Sequence, residues 1–593
     1  MHILGINMSH DRSACLLKDG KILVAIAEER LDGDKKSYGY MMNTGERIPP
    51  LRSITYCLDS QNLSIDDLDL IVIDKAFDSV NLERVRKIIP IRDKTKIRAL
   101  PYPSHHLAHA YSTYFCSPFN ESAILVADVF GSEVFRGNEG ETGFYAKGNG
   151  IKQLFKTYQI LEPVPEDKRY YCLTYMYHFI TQALGFILPC RNLSAEERPD
   201  EAGKTMALSA YGKRVSKWPA IVEEEKGSIK TNKFTQWVLA SKIGKNEFGG
   251  LVPKIKHPSE KSGQFHANLA YKAQEELEKG LIHFANKLYS ITKSDNLCIA
   301  GGAGLNCVAN RKILDNTPFK NIFIQPAATD DGNAIGAAMY GWHKIANERK
   351  RFFLTSAYLG RPYGGKEICA CLAKRGILNR PLKRKSLIEK AARFISRGKI
   401  VGWFQAGSEF GPRALGHRSI LADPRRSNTK QFLNKRVKHR EDFQPYAPSV
   451  LAEFANRYFD ISCPSPFMLL VAKVNEQKLS DIPAVVHVDG TARVQTVTKA
   501  GNGIFYDLIK EFNCITGVPV ILNTSFNTRG KPIVETPEDA LRVFLSTGMD
   551  VLVLGNYLLE KESKEIKAAI KARKKSKELV NAARDVKKFY PSS

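Results

Sequence analysis

Short apolar runs open the chain. Ile3–Ile6, Ser13–Leu17 and Ile22–Ala27 predict three strands, the last two joined by the turn Lys18-Asp19-Gly20-Lys21, and so a meander at the start of a domain. Further apolar runs at Leu70–Ile73, Ala123–Ala127, Leu297–Ala300 and Ile322–Ile324 alternate with helical patterns such as Asn268–Thr292. Strands alternating with helices predict an α/β architecture. Between Gly212 and Gly263 the chain is polar and rich in Lys and Gly without sustained periodicity, which predicts an insertion or an irregular lobe. After Trp342 the charged stretch Asn347–Arg351 and the Gly- and Pro-containing segment Gly360–Gly365 place a domain boundary near Lys350. Beyond it the pattern predicts helix Leu387–Arg397, strands Ile400–Phe404, Met468–Val474 and Val518–Leu522, helix Pro537–Leu545 and strand Val551–Leu554. That is a second α/β or α+β domain. No internal repeat of fixed period is visible. The expected division is 1–350, 351–560 and a basic, helical C-terminal tail, 561–593.

Composition bounds this picture. A chain of 593 residues, 43% of them hydrophobic, is too long for one core and can bury two or three. No stretch approaches the roughly 20 apolar residues of a membrane span, and the start MHILGINMSHDRSACLL lacks a basic region followed by an unbroken apolar core. A soluble, cytoplasmic protein with no membrane partner is expected. The 11 cysteines are scattered singly apart from Cys369 and Cys371, which are too close for a zinc knuckle, so reduced thiols are expected. Net charge is +26, and from Lys561 to Ser593 eleven Lys or Arg face four Asp or Glu. Such a balance permits nucleic-acid or membrane-surface binding, but mixed charges with sparse apolar residues also describe a solvated terminal helix. It suits equally an enzyme that handles phosphates.

Candidate chemistry lies in both halves. SHHLAHAYSTY places His105 and His109 four apart, on one face of a helix, where both imidazoles can grip one ion, while His106 points elsewhere. Asp128 closes AILVAD and Asp330 closes IFIQPAATD, and strand-end carboxylates are natural further ligands. Mixed N and O ligation suits iron, manganese or zinc and does not choose among them. An isolated pair of helical histidines is more often plain surface polarity, so neighbouring features must carry the reading. The run Gly301-Gly302-Ala303-Gly304-Leu305-Asn306 follows a strand and precedes a helix, and Asp331-Gly332-Asn333-Ala334 starts another; side-chain-free turns there let a nucleotide approach backbone N–H groups, although each alone is as readily simple capping. His10, in the loop Ser9–Ser13, could take a proton from an attacking hydroxyl. In the second half Arg413, Arg418, Lys438, Arg440, Arg493 and Arg529 lie beside turn residues with no matching acidic clusters, which points to a bound dianion and triphosphate rather than to scattered ion pairs.

Together SHDRSACLL, IAEERL, HHLAHAYSTY, EAGKTMALSAYG, GGAGLNCVANRKIL, QPAATDDGNAIGAA, EFGPRALGHRSILADPR, FQPYAPSVL, HVDGTARVQTV and ILNTSFNTRGKPIVETPEDA give the chain, over nearly its whole length, a resemblance to the O-carbamoyltransferases that include nodulation, cephamycin and tobramycin carbamoyltransferases. The resemblance implies an N-terminal actin-like (ASKHA) domain similar to threonylcarbamoyl-adenosine synthases and a C-terminal YrdC-like α/β domain. It implies ATP (with Mg2+), carbamoyl phosphate and a small hydroxylated natural product as partners: carbamoyl adenylate forms first, and its carbamoyl group then passes to the acceptor hydroxyl. Carried over by residue, it implies metal ligands at His105, His109, Asp128 and Asp330, the place of Fe2+ in such enzymes, with Mn2+ or Zn2+ as alternatives. It implies a base at His10, nucleotide contacts at Gly301, Gly302, Asn306 and Gly332, and carbamoyl phosphate or ATP contacts at Arg413, Lys438, Arg493 and Asn523. A homodimer is compatible with it. One departure stands out: the family usually follows the metal-binding Asp with Gly, as in DGxGE, and here Val129 follows Asp128. Residues 34–50 and 163–198 are expected to choose the acceptor. A modifier of RNA and an inactive actin-like regulator are the competing readings; the fused second half argues against the first and the intact basic and histidine motifs against the second.

Overall fold

The computed structural model describes residues 1–37, 48–75, 82–134, 137–160, 165, 169–187, 201–225, 228–231, 233–241 and 263–572. Parts of the two expected acceptor segments (38–47, and 163–164, 166–168 and 188–198) and most of the tail (573–593) lie outside the described residues.

Strands β1 (His2–Asn7), β2 (Ser13–Lys18) and β3 (Lys21–Ala27) form the antiparallel meander, and β4 (Leu70–Asp74) and β5 (Ile97–Ala99) add in parallel on the other side of β1, giving the order β3-β2-β1-β4-β5. Both faces of this sheet are covered, so each strand is apolar throughout and its side chains divide by alternation. Ile3, Cys15, Leu17 and Ala25 join a large central core, while Leu4, Ile6, Leu16 and Ile26 join a smaller one beneath helix Leu51–Asp59.

A second sheet repeats the plan. Strands β6 (Glu121–Ala127), β7 (Gly137–Lys147) and β8 (Gly150–Gln159) run antiparallel, and β9 (Asn296–Ala300) and β10 (Asn321–Ile324) continue in parallel from β6. Apart from the two-residue strand Glu133–Val134, which also pairs with β7, the order β8-β7-β6-β9-β10 reproduces that of the first sheet in sequence and direction. Two copies of one α/β plan facing each other through buried helices are the actin-like arrangement. Helices His105–Cys116 and Asn333–Tyr340 fill the space between them and touch so closely that a Cβ at Gly336 would stand 1.9 Å from the Ala108 carbonyl oxygen. The repeat has no sequence period because the first copy spans His2–Ala99 and the second Glu121–Ile324, with helices Leu173–Ala183, Ala202–Ser209 and Gly263–Thr292 inserted before β9.

Within the stretch read as irregular, an antiparallel strand pair (Glu223–Glu225 with Ser228–Lys230) precedes helix Phe234–Ser241, whose Trp237 is fully buried. One indole in the central core outweighs the polar composition around it.

The third sheet holds strands from Val401 to Glu560: β11 (Val401–Phe404), β12 (Arg418–Ala422), β13 (Ala447–Leu451), β14 (Gln495–Val497), β15 (Val520–Ser525), β16 (Val551–Leu554) and β17 (Tyr557–Glu560), ordered β14-β13-β15-β12-β11-β16-β17. With helices Arg384–Ser396, Lys499–Thr516 and Pro537–Ser546 it is again α/β. The predicted strand Met468–Val474 is regular only over Val471–Val474. Phe467 to Leu470 are apolar because they pack into the core of the N-terminal half. None of the ten described cysteines is in a disulfide, and among the described residues no helix is long and apolar enough to cross a membrane.

Candidate metal centre and the basic cluster beside it

Each loop that leaves the carboxyl end of β6 and β10 brings one carboxylate to the His105–Cys116 helix. Ligand atoms of His105, His109, Asp128 and Asp330 all lie within 4.8 Å of one another, and all four residues are buried. His105 Nε2 stands 3.2 Å from Asp128 Oδ2 and 3.4 Å from Asp330 Oδ1. His109 Nε2 stands 3.9 and 3.7 Å from the same two oxygens, and neither of its ring nitrogens has a hydrogen-bond partner. A buried imidazole without a bond, facing two carboxylate oxygens, is costly unless something else is bound there. Two nitrogens and two oxygens at this separation fit a divalent cation.

Electrostatics bind the group into one unit. Burial would lower the pKa of His105, but Asp330 and bonds to Asp128, Asp330 and Asp74 raise it well above the ordinary range. Burial would raise Asp330, but His10 and His105 hold it well below. His10 stands outside the group, its Nδ1 3.3 Å from Asp330 Oδ2 and its Nε2 3.5 Å from Asp11 Oδ2, still partly open to solvent. His106 is separate: it bonds Thr142 Oγ1 at 2.7 Å, and burial pushes its pKa down to about 3.

The ligand helix is held from outside itself. Its N-cap Ser104 makes no side-chain cap. Instead Ser132 Oγ accepts the N–H of Ser104 and of His105 at 3.2 and 3.1 Å, and Glu139 Oε2 accepts those of His106 and Ser132 at 3.4 and 3.0 Å. The N–H groups of Ser104, His105 and His106 are the orphan donors of a helix start, and their acceptors come from Ser132, in the loop that follows Asp128, and from Glu139 on β7. Asp74, the last residue of β4, was not among the residues singled out from sequence, although it closes its strand just as Asp128 follows β6. It accepts from Ser104 Oγ at 2.7 Å and Asn333 Nδ2 at 3.1 Å, and its Oδ2 lies 3.6 Å from His105 Nδ1.

The glycine loops are built into this frame. Gly302 N–H donates to Asp128 Oδ1 at 2.8 Å, so it orients a candidate ligand directly. Gly301, with φ +86°, lies so close to β6 that a Cβ would stand 2.3 Å from the Ala127 carbonyl oxygen. Asn306 caps the helix Cys307–Asn316 by accepting from Ala309 N–H at 3.0 Å and pairs with Gln274 through both amide groups. Gly332 N–H bonds within its own turn, to Thr329 O at 3.0 Å and Asp331 Oδ1 at 3.1 Å. Val129 sits beside a fixed backbone, for Thr174 Oγ1 donates to the Asp128 carbonyl at 2.5 Å.

The basic residues sort into two kinds. Arg418 is fully buried, lies 3.6 Å over the Phe404 ring and donates to the carbonyls of Gln405 and Ala406, and Arg529 pairs with Glu441 at 3.0 Å; both are committed to structure rather than to a ligand. Arg413, Lys438, Arg440 and Arg493 form no ion pair among the described residues. Arg413 Nη2 donates to Leu305 O across the two halves at 3.3 Å, and the buried Nε atoms of Arg413 and Arg493 have no partner. Burial and the neighbouring Arg493 pull Arg413 below the usual guanidinium range, and burial, Arg440 and Lys35 pull Lys438 well below the usual ammonium range. Lys438 Nζ reaches only neutral oxygens, of Ser525 and Asn527. Cations crowded without counter-charges are a site for an anion. Asn523 lies behind this cluster, its Nδ2 donating to Ala414 O at 3.2 Å and to Ser449 Oγ at 3.1 Å.

Comparison with known proteins adds to this geometry. Sequence patterns described as Carbamoyltransferase N-terminus match residues 2–98 and 86–339, and those described as Carbamoyltransferase C-terminus match 392–561. An uncharacterized protein of Synechocystis sp. is 34% identical over 94% of this chain and 97% of its own length. Nodulation protein NolNO of Sinorhizobium fredii is 33% identical, covering 93% of this chain and 79% of its own. The 3'-hydroxymethylcephem-O-carbamoyltransferase of Amycolatopsis lactamdurans is 26% identical over 76% of this chain and 79% of its own.

Proposed function

The chain belongs to the carbamoyltransferase family, and on that premise we propose that it is an ATP-dependent O-carbamoyltransferase acting on a hydroxyl of a small natural product. The observation that carries the reading is a shared loop: residues 301–306 hold Asp128 through the Gly302 N–H and receive Arg413 at the Leu305 carbonyl, so the histidine–aspartate group and the basic cluster meet at one segment.

Work divides between the halves on either side of Lys350. In the second, Arg413, Lys438 and Arg493 bind carbamoyl phosphate and the ATP phosphates, and Asn523 holds the backbone beside Arg413. Water cleaves carbamoyl phosphate to phosphate and carbamate; a carbamate oxygen then attacks the α-phosphorus of ATP, pyrophosphate departs, and carbamoyl adenylate results. In the first half the acceptor hydroxyl attacks the carbamoyl carbon, its proton passes to His10, and AMP leaves with the electron pair of the broken anhydride bond. His105, His109, Asp128 and Asp330 would hold a divalent metal, iron before manganese or zinc, and a metal there would supply Lewis-acid polarisation of the carbamoyl group. Asp330 orients His10, and burial of the centre keeps water from the hydrolysable anhydride.

The test is to incubate the protein with ATP and carbamoyl phosphate and follow phosphate, pyrophosphate and AMP beside Arg493→Ala, then to screen hydroxylated natural products. Pyrophosphate that requires carbamoyl phosphate and disappears in the variant supports the reading; carbamoylation of no acceptor and no adenylate chemistry with any would sink it.

A further inference from the structure

The segment Glu409–Arg418 crosses from one half of the molecule to the other. Gly411 has φ +109°, and a Cβ there would stand 2.5 Å from the Pro326 carbonyl oxygen, in the stretch that leads to Asp330. Its own carbonyl accepts from Arg30 Nη2 at 2.7 Å. Two residues later Arg413 reaches Leu305. The segment therefore touches the stretch that leads to Asp330 and the loop whose Gly302 N–H holds Asp128, yet residues 411–417 form neither helix nor strand.

One carboxylate organises it. Glu409 Oε1 accepts the backbone N–H of Leu415 at 2.7 Å, of His417 at 2.8 Å and of Arg418 at 3.2 Å. Three N–H groups converging on one point form a nest suited to an anion, and here the anion is tethered to the chain. Bonds to a charged acceptor are about twice as strong as neutral ones, so a neutral side chain would hold the loop less firmly. Glu409 is 1% exposed and its buried Oε2 has no hydrogen-bond partner. From the opposite side the amides of Asn523 and Gln495 donate to the carbonyls of Ala414 and Leu415 at 3.2 and 2.8 Å. Backbone N–H and C=O groups are thus gripped on either side of the position that presents Arg413 to Arg493 and the rest of the basic cluster.

We infer that Glu409 is a positioning residue for the carbamoyl-donor site, an internal anion that fixes the 411–418 loop and acts through Arg413; this rests on the assignment of Arg413 to carbamoyl phosphate made above. The test uses the full chain and the pyrophosphate-releasing half-reaction, with wild type, Glu409→Ala, Glu409→Gln, Arg413→Ala and the double variant Glu409→Ala/Arg413→Ala, each checked for native circular dichroism. Glu409→Ala should raise the apparent KM for carbamoyl phosphate roughly tenfold, the effect of losing one charge-assisted contact that orients a binding group, with a much smaller change in kcat. Glu409→Gln should raise it less. Formate, which can refill the nest, should restore much of the loss in Glu409→Ala and none in Arg413→Ala, and adding Glu409→Ala to Arg413→Ala should cost little more. An unchanged KM in both Glu409 variants, formate without effect, or losses that simply multiply would overturn the inference while leaving the donor site standing. If wild type releases no pyrophosphate, the functional reading falls and this inference falls with it. Should Glu409→Ala not fold, Glu409→Gln and its double variant with Arg413→Ala decide by the same KM comparison.

Discussion

His105 has two ring nitrogens, and the fold assigns each a different neighbour: Nε2 faces Asp128 and Asp330, while Nδ1 faces Asp74 and Asn333. A carboxylate behind a ligating imidazole fixes which nitrogen is free to bind. Asp74→Asn keeps the shape and removes the charge, so metal affinity measured by competition with a chelator should fall roughly 10- to 100-fold, with the circular dichroism unchanged. An unchanged affinity would make Asp74 merely a holder of Ser104. Lys438 permits a proton-linked prediction. Its pKa is depressed by burial, Arg440 and Lys35, so an anion that pairs with the ammonium must raise it, and binding draws in a proton where pH lies between the unbound and bound values. Affinity is full below the unbound value and is lost as pH rises through it. Titration with sulfate, whose own charge is constant, in buffers of different ionisation enthalpy should show proton uptake that grows with pH and is absent in Lys438→Arg; equal heats in all buffers would contradict it. Three of the four residues now found together were legible from local signals: four-residue spacing puts two histidines on one helix face, and Asp128 follows directly on the apolar run of β6, whereas Asp330 opens a separate turn well beyond the end of β10 at Ile324. Asp74 carried the same signal in LIVID, but no partner motif stood beside it, and Glu409 was hidden because its role is to bind backbone, which leaves no pattern in side chains.

At the scale of elements, the helix His105–Cys116 decides whether the ligands converge, and it depends on what grips it. Glu139 receives the helix start and is itself paired with the buried Lys156. His106 and Lys156 overcome burial and draw its pKa down to about 2, so its stabilising charge is fully present above its ordinary value of 4.5 and is lost as pH falls through about 2. Glu139→Gln should cost about 1–3 kcal/mol in urea unfolding at pH 7, since a charge-assisted network is weakened in a buried place. The cost should shrink as pH drops below 4.5 toward 2, because the wild type then loses the same charge. Gly336→Ala acts on the other side. Its methyl would meet the Ala108 carbonyl oxygen at 1.9 Å and must push apart the two helices that carry or flank His109 and Asp330. A loss of roughly 1–3 kcal/mol or more is expected from such overpacking, with less metal retained per folded chain on dialysis; stability and metal content equal to wild type would show that the helices have room. Strands with unbroken apolar runs were legible as elements. The β7 strand was not, because GNEGETGFYAK is written with glycines and with Glu139 and Glu141, whose burial is supported by bonds to distant residues rather than by hydrophobicity. Tertiary contacts, not local propensity, make that segment a strand.

At the scale of the whole molecule, the boundary expected near Lys350 is crossed by packing as well as by chain. Ala357, Phe410, Leu415, Phe443, Ala447 and the run Phe467–Leu470 belong to the same core as the helices between the first two sheets. Polar contacts cross it too: Arg30 donates to Gly411 O, Glu409 O and Ile533 O, Tyr56 Oη donates to Glu535 Oε1 at 2.6 Å, and Lys204 Nζ reaches Glu441 at 3.2 Å. A chain this long ordinarily unfolds in separable steps. Here the loops that connect the two candidate sites are also the segments through which the halves share a core, so exposing one half strips apolar cover from the other. Calorimetry of the metal-loaded protein should therefore show one endotherm, with calorimetric and van't Hoff enthalpies in near agreement. Arg30→Met tests the cause. It keeps the length of the side chain but leaves buried carbonyls of 409, 411 and 533 without their donor, a loss of about 1–3 kcal/mol for each well-made bond, concentrated at the junction. The variant should split the endotherm, with the transition of the second half moving to lower temperature while the first, which keeps its candidate metal ligands, moves less. Two resolved transitions already in the wild type would mean that the shared core is too small to couple the halves, and the link between the sites would then rest on the 301–306 loop alone.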